Sequence, residues 1–555
     1  MNTATQTVLA SNVATKPACF PSVPDRFRKL EKDSFDVIVI GAGTGGLTAA
    51  ALLAKRGRSV LVLDRHYVAG GNATVFHRPG YQFDVGLHYL GDCGPDGYIP
   101  RILRAAGVGD IVFRELDPDG FDTLVFPDFI FRVPKGIENF RARLVERFPN
   151  EARGIDRYLE ILRGLQSLQE LSNSGFAHAM QTLWGARKTL WHINDTLKNF
   201  FDTCTTDPRL QAVLAGQSGD YAEPPSRASL LVNAMVTSGY LKGAYYPVGG
   251  AQVTSDRLAD SIERHGGKIL LMTEVTRIVV EGWKAVGVEF NSHHLGRCTV
   301  RAPVVISDAD LKHTLLDLVG PAYLSDKTVK RTRVYEMSPA LGVVFLGIRR
   351  DLRVEGVPNT NFWVHPSYDQ EPVYADARAG RFHPQPFCFI SSSTLKDPDN
   401  PKDAPPGITK MELVAVVPSQ PKAWGTTEQE IADGSYHDNP AYKRIKAAFA
   451  GRLIRTAERV FPGLGGQVVY QEVASPMTHT RFTGSTGGTS YGIALIPSQF
   501  LFKRPGNSTE VKGLYLCGAN TMSGHGILGT MWSGLLAASR IVGGDVLREV
   551  TSKRE

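Results

Sequence analysis

The run Phe35-Asp36-Val37-Ile38-Val39-Ile40 is short, apolar and rich in β-branched residues, the pattern of a buried strand. It passes directly into Gly41-Ala42-Gly43-Thr44-Gly45-Gly46. Leu47–Gly57 then has helix-forming composition and closes on a glycine, and Ser59–Asp64 (SVLVLD) reads as a second strand. Strand, glycine turn, helix and strand at this spacing predict a parallel βαβ crossover. The same grammar returns near the end of the chain, where Gly513–Gly544 (GLYLCGANTMSGHGILGTMWSGLLAASRIVGG) reads as strand, glycine-rich turn and helix.

Between these ends the period changes. From about Pro134 to Leu241 the pattern is mostly helical, and Phe176, Met180, Leu183/Trp184, Leu190/Trp191, Leu197 and Phe200/Phe201 recur near helical spacing, with Arg187, Lys188 and Lys198 opposite. Such a stripe faces a core or, with its basic and Trp-bearing flank, leans on a membrane surface. After Pro247 the pattern predicts a helix over about Ala251–His265, a Gly-Gly turn and two or three strands. Ser393–Gly407 (STLKDPDNPKDAPPG) has the turn chemistry of a loop, and Met411–Pro418 reads as a strand. Residues 1–33, rich in Thr, Ala and Ser, lack an apolar signal core and read as a disordered leader, with a transit peptide as the alternative.

At 555 residues the chain is too long for one ordinary core. Its net charge of +7 comes from dispersed Lys and Arg, which argues against nucleic acid as a partner. The six cysteines (Cys19, Cys93, Cys204, Cys298, Cys388 and Cys517) are far apart and form no Cys-x-x-Cys, against a disulfide framework or a metal site, and a reducing compartment fits. There is no apolar run long enough to span a bilayer. Location is thus expected to be cytoplasmic or peripheral to a membrane.

Gly41-x-Gly43-x-x-Gly46 between a strand and a helix is the dinucleotide fingerprint in its proper context. Gly41 permits the tight turn, Gly43 lets backbone approach a pyrophosphate, and Gly46 lets helix and strand close together. The helix N-terminus offers free N–H groups to the phosphates. Asp64, 18 residues past Gly46, ends the second strand where a carboxylate accepts ribose hydroxyls. After it come Arg65 and, six positions past Asp64, Gly70-Gly71-Asn72.

An acid followed by a glycine pair resembles the signature of FAD-binding oxidoreductases and favours FAD over NAD. The C-terminal segment resembles the flavin motif of the phytoene-desaturase-like superfamily. By that resemblance Gly518 lies beside the ribityl chain. Gly524, Gly526, Ile527, Leu528 and Gly529 bring backbone N–H groups to the isoalloxazine, and a helix from Thr530 points at its pyrimidine end. Gly518-Ala519-Asn520 departs from the family's Ala/Gly-Gly-Asp, so Asn520 keeps a hydrogen-bonding group and loses a charge. Phe83–Gly91 (FDVGLHYLG), the Asp-Pro…Ala-Pro-Pro-Gly loop, Ser475–Gly492 (SPMTHTRFTGSTGGTSYG) and Val304–Asp310 (VVISDAD) are similar to the same superfamily, and the first draws the reading to its retinol saturase and carotenoid isomerase branch.

The resemblance implies an α/β fold: a discontinuous Rossmann-type FAD domain (34–125, 240–310 and 505–555), a mostly helical lid (126–239) and an α+β substrate domain (311–504). It places Val275 against the adenine. It implies an apolar polyene or long-chain lipid substrate, with hydride exchanged at flavin N5 and a proton moved at the neighbouring carbon. His88 and Tyr89, with His525, are the candidates for that proton, and Tyr491 for the substrate pocket. No second glycine fingerprint appears in strand–helix context, so no dedicated nicotinamide domain is expected, and the sequence does not name the flavin's electron partner, with an external donor or acceptor as one reading. The competing readings are a desaturase passing electrons to oxygen or quinone, an amine oxidase of the same fold, and a non-catalytic flavin-bearing lipid carrier.

Overall fold

The computed structural model of the protein describes residues 30, 32–109, 111–170, 189 and 191–552. Five parallel strands form its first sheet, in the spatial order Lys268–Leu270, Val60–Leu63, Val37–Ile40, Val304–Ser307 and Leu514–Leu516. The two strands adjoining the first glycine turn bury all four residues, as expected where both faces of a parallel sheet are covered. The helix Thr44–Ala54 buries every residue, because it is wedged between this sheet and the helices Val253–Arg264 and Gly526–Val542.

The second sheet has seven strands, ordered Val468–Ala474, Ala340–Ile348, Thr409–Val417, Cys388–Ser391, Asn361–Val364, Asp122–Val125 and Ile130–Val133. All neighbours are antiparallel except Asn361–Val364 with Asp122–Val125. The boundary drawn from the sequence at 125/126 falls inside the last hairpin. Asp122–Val125 closes the first segment expected of the cofactor domain, yet it pairs with Asn361–Val364 as well as with Ile130–Val133, a long-range pairing that local pattern does not reveal. The helices Ile137–Arg147, Ala152–Glu170, Leu197–Cys204, Pro208–Leu214 and Leu230–Leu241 cover this end of the molecule.

Several elements differ in detail from the sequence reading. The helix expected over Ala251–His265 is Val253–Arg264, and the strands after it form a three-stranded antiparallel sheet, Thr273–Glu281, Lys284–Ser292 and Gly296–Arg301. The loop Ser393–Gly407 begins with a short buried helix, Ser393–Lys396. The final helix starts at Gly526 rather than Thr530, because the glycines at 524 and 526, both at positive φ, end the turn earlier. The stripe Phe176–Lys188 lies outside the described residues. Of its flanks, Trp191 is 86% exposed while Leu197, Phe200 and Phe201 are buried, so only the later part faces the core. Among the described residues no helix is long and apolar enough to cross a membrane.

The two ends of the chain meet at one close helix crossing. A Cβ added at Gly534 would lie 2.3 Å from Gly45 O and 3.1 Å from Ala49 N. Gly534→Ala gains at most about 1 kcal/mol of helix propensity. It costs about 1–3 kcal/mol of overpacking against rigid backbone. The expected net result is a lower melting temperature, measured by calorimetry, with cofactor content falling alongside it.

Candidate functional site

A cavity of about 910 Å³ runs from the first glycine turn to the inner face of the seven-stranded sheet. At its polar end the sequence-predicted residues are brought together. Gly41 sits at φ 96°, and a Cβ at Gly46 would lie 2.2 Å from Gly41 O, so the turn closes only without side chains there. Asp64 receives the backbone N–H of Ala42 at 2.6 Å on Oδ2 and of His66 at 2.7 Å on Oδ1. It thus ties the glycine turn to the end of the second strand before it meets any ligand.

The second glycine pair serves the first. Gly70 N–H donates to Ala42 O at 2.6 Å, and a Cβ on Gly71 would approach Gly43 Cα to 3.2 Å. Beside it Asn72 Nδ2 reaches Ser490 O at 3.4 Å, while Asn72 Oδ1 is buried without a partner. Arg65 pairs with Glu274 at 3.5 Å, and the next residue, Val275, is buried in the cavity wall.

The C-terminal turn closes the other side. Gly518 packs on Gly45, where an added Cβ would lie 2.9 Å from its nitrogen. Asn520 Oδ1 accepts the N–H of Ile493 at 3.0 Å, and Thr44 and Thr530 hydroxyls meet at 2.7 Å, joining the N-terminal turns of the first and last helices. Gly526, Ile527 and Leu528 line the cavity. The group that all these turns enclose is Asp308, within the quoted VVISDAD segment but given no role from sequence. Side chains added at Gly43, Gly45 or Gly518 would meet its carboxyl oxygens at 2.5, 2.7 and 2.2 Å. Burial pushes its pKa up to about 7, against the pull of the Gly46 and Gly43 backbone N–H groups.

The cavity therefore fits a dinucleotide. Its turns are bare backbone with free N–H groups, an orphaned amide oxygen faces it, and burial raises the pKa of the Asp308 carboxyl to about 7, which lessens its repulsion of a pyrophosphate.

Towards the sheet, the turn after Tyr81–Asp84 presents His88 and Tyr89 to the cavity. His88 stands 5.5 Å from the Phe389 ring, its Nδ1 unpartnered, and burial with the Lys396 charge lowers its pKa to about 3. His525 caps the last helix. Its Nε2–H donates to Asp220 O at 2.6 Å and burial lowers its pKa to about 4. Tyr491 packs on His525 at 4.4 Å between ring centroids. Both imidazoles are neutral at physiological pH.

Beneath this turn lies a buried charge cluster that the sequence does not announce. Lys396 Nζ donates to His88 O at 2.7 Å and Ser391 Oγ at 2.6 Å, and burial lowers its pKa to about 8. Lys410 lies 3.0 Å from Asp403 and 3.6 Å from Glu412, whose carboxyl burial raises to about 8. Lys396 belongs to the segment read as a loop, where a lysine ordinarily marks solvent. Its short helix turns it inward to hold the His88–Tyr89 turn against the sheet.

Residues 39–106 match the family described as NAD(P)-binding Rossmann-like domain. The chain is 26% identical over 532 residues to all-trans-retinol 13,14-reductase of Danio rerio, covering 92% of this chain and 86% of that protein. It is 27% identical over 528 residues to chloroplastic prolycopene isomerase 1 of an Oncidium hybrid cultivar, covering 92% and 84%. A solved putrescine oxidase double mutant superposes with a TM-score of 0.59 at 14% identity, covering 92% of this chain and 99% of that one. The chain is thus homologous to these reductases and isomerases over nearly its whole length, shares the amine-oxidase type of Rossmann fold, and is an oxidoreductase.

Asp308 makes cofactor retention depend on pH. Burial raises its pKa from the usual 3.8 to about 7, so the neutral carboxyl beside the glycine turns gives way to a carboxylate as pH rises through about 7. Asp308→Asn keeps the shape and removes the titration. The expected outcome is a dinucleotide affinity, measured by fluorescence titration, that falls roughly tenfold between about pH 6 and 9 in wild type and stays flat in the variant.

Proposed function

We infer that this homologue of retinol 13,14-reductases and prolycopene isomerases is an FAD-dependent enzyme acting on a carbon–carbon double bond of a lipophilic polyene, by saturation or by cis/trans isomerisation. The observation that carries the reading is the continuity of the cavity. The dinucleotide cradle opens without interruption onto a wall that includes Leu341, Val343, Trp363, Phe389, Val414 and Val416. Such a wall takes hydrocarbon, at about 25 cal/mol per Å² of apolar surface removed from water. The two relatives are named for retinol and prolycopene, both conjugated polyenes.

In this reading the residues 34–125, 240–310 and 505–555 supply the cofactor side and 126–239 with 311–504 the substrate side, with Asp122–Val125 lent to the latter. The turns Gly41–Gly46 and Gly70–Asn72 hold the pyrophosphate end, with Asp64 and Val275 towards ribose and adenine. Gly518, Asn520, Gly526, Ile527 and Leu528 hold the flavin end. FAD supplies hydride exchange with one carbon of the double bond when bound. The chain's own part is to exclude water, to orient the polyene along the sheet, and to move a proton at the neighbouring carbon. His88, Tyr89, His525 and Tyr491 border that place. The cavity mouth bears Phe502, 78% exposed, and Met235, which suits loading from a lipid surface.

An anaerobic experiment tests this. The FAD-loaded protein is reduced, retinol or prolycopene is added, and flavin absorbance and products are followed. Reoxidation with a dihydro product, or a geometric isomer without net reoxidation, is expected. Reduction of oxidised flavin by the polyene would mark a desaturase instead, and no change with any polyene would overturn the reading.

A further inference from the structure

At the inner end of the cavity two carboxyl groups from separate parts of the chain converge on one tyrosine hydroxyl. Tyr89 Oη lies 2.8 Å from Asp220 Oδ2 and 3.2 Å from Asp122 Oδ2. A tyrosine hydroxyl has one proton to donate. It satisfies one carboxylate, and a second ionised carboxylate beside it would set lone pair against lone pair. The two acids are not equivalent. Asp122, on a strand of the seven-stranded sheet, is fully buried and accepts Gln217 Nε2 at 2.5 Å and Asn361 Nδ2 at 3.1 Å. Among the described residues Asp220 Oδ2 has no partner besides Tyr89. The extra proton therefore belongs to Asp220, which donates to Tyr89 oxygen, while the Tyr89 hydroxyl donates to Asp122. Of the two acids, Asp220 is the one that lines the cavity.

We propose that Asp220 is the acid that protonates one carbon of the substrate double bond, with Tyr89 and Asp122 as positioning residues that keep its proton in place. The assignment rests on the reading of the protein as a polyene enzyme. In the step itself the Asp220 O–H bond breaks and a C–H bond forms from the alkene π pair. The adjacent carbon is left as a cation delocalised along the polyene, and no electron enters or leaves the protein. Rotation about the former double bond and return of the proton to Asp220 complete an isomerisation with no net change in redox state. A dihydroflavin bound in the cradle would supply the hydride that turns the same cation into a saturated product, and Asp220 would then regain its proton from solvent.

The surroundings suit both halves of the step. The Tyr89 and Tyr240 rings stack at 4.2 Å with planes 3° apart, and Tyr491 and His525 complete an aromatic wall that favours a neighbouring cation. Burial first, and then the Asp122 charge, raise the Asp220 pKa to about 8; Asp122 itself reaches about 6, with Asn361, Gln217 and Tyr89 opposing its burial. Among the described residues the other titratable groups facing the pair are Tyr89, Tyr221, Tyr240, Tyr491, His525 through the Asp220 carbonyl, and the more distant Lys396. The imidazoles of His88 and His525 are neutral, so the carboxyl is the group that carries an acidic proton near pH 7.

The test uses the full-length FAD-loaded protein and its Asp220→Asn and Asp122→Asn variants, with retinol and prolycopene as probes in H₂O and D₂O. Infrared spectra of the resting protein are expected to contain a protonated-carboxyl band that Asp220→Asn removes, whether or not turnover occurs. Asp220→Asn should retain FAD and its melting temperature yet lose about 10²–10⁴-fold in turnover and in deuterium delivered to the product. The wild-type rate should fall as pH rises through about 8. In Asp122→Asn that fall should begin at lower pH, because the charge that raises the Asp220 pKa is gone. A resting protein without the band, or an Asp220→Asn enzyme that turns over and incorporates deuterium like wild type, overturns the assignment and leaves the polyene reading standing. A wild-type enzyme that processes no polyene overturns both.

Discussion

The carboxyl of Asp308 lies where two glycine turns from opposite ends of the chain meet, and Gly43, Gly45 and Gly518 are all bare because their Cβ atoms would collide with it. This contact fixes the strand Val304–Ser307 between the outer two segments, and the order of the parallel sheet follows from it. The first helix can then be buried on every side, since the last helix crosses it at Gly534. A dinucleotide cradle assembled this way is closed by backbone alone. Its tolerance for substitution is correspondingly small, as overpacking against backbone cannot be relieved by a rotamer change.

The same economy of water governs the chemistry of the cavity. Burial favours the uncharged form of every ionisable group, lowering histidines and raising carboxylic acids. His88, His365, His479 and His525 all fall to about 3 or 4, while Asp220 and Glu412 rise to about 8. Near neutral pH the side chains with a proton to give are then carboxyls rather than imidazoles. A histidine in a flavoenzyme turn draws attention as an acid, yet depth in the protein reverses the expectation. What such a histidine retains is a tautomer, and His525 uses its Nε2–H to hold the Asp220 turn.

The glycine-turn end of the cavity was legible in the sequence because its requirements are local. A strand, bare glycines, a helix start and an acid at the next strand end are spaced by backbone geometry, so Gly41–Gly46, Asp64 and Gly70–Gly71 could be read directly. The first turn, the parallel strands and the final helix follow from the same spacing, apart from the helix start at Gly526. The remainder depends on pairings distant in sequence. Asp122 and Asp220 sit in unremarkable contexts, a strand end and the turn QSGDYAEPP, and nothing local says that one hydroxyl lies between them. Lys396 was hidden by its own company, since Pro, Asp and Asn around it signal an exposed loop. The pairing of Asp122–Val125 with Asn361–Val364 was not legible for a similar reason, as strand pairing at such a distance in sequence leaves no periodic trace.

The proposed proton donor also bears on why one scaffold serves relatives named for reduction and for isomerisation. Protonation of a polyene gives the same delocalised cation in both cases, so one acid serves either outcome. The outcomes part only afterwards, when the cation either meets a hydride or returns its proton after rotation. That choice depends on whether a reduced cofactor lies within reach of the cation before the proton returns to Asp220. Asp220 is held through Tyr89 to Asp122 of the seven-stranded sheet, while Asp308 follows a strand of the parallel sheet, so the separation of acid and cradle is set by the packing between the sheets rather than by either motif. Changes in that packing would shift the balance between the two outcomes while every glycine and every carboxyl of the chain stayed in place.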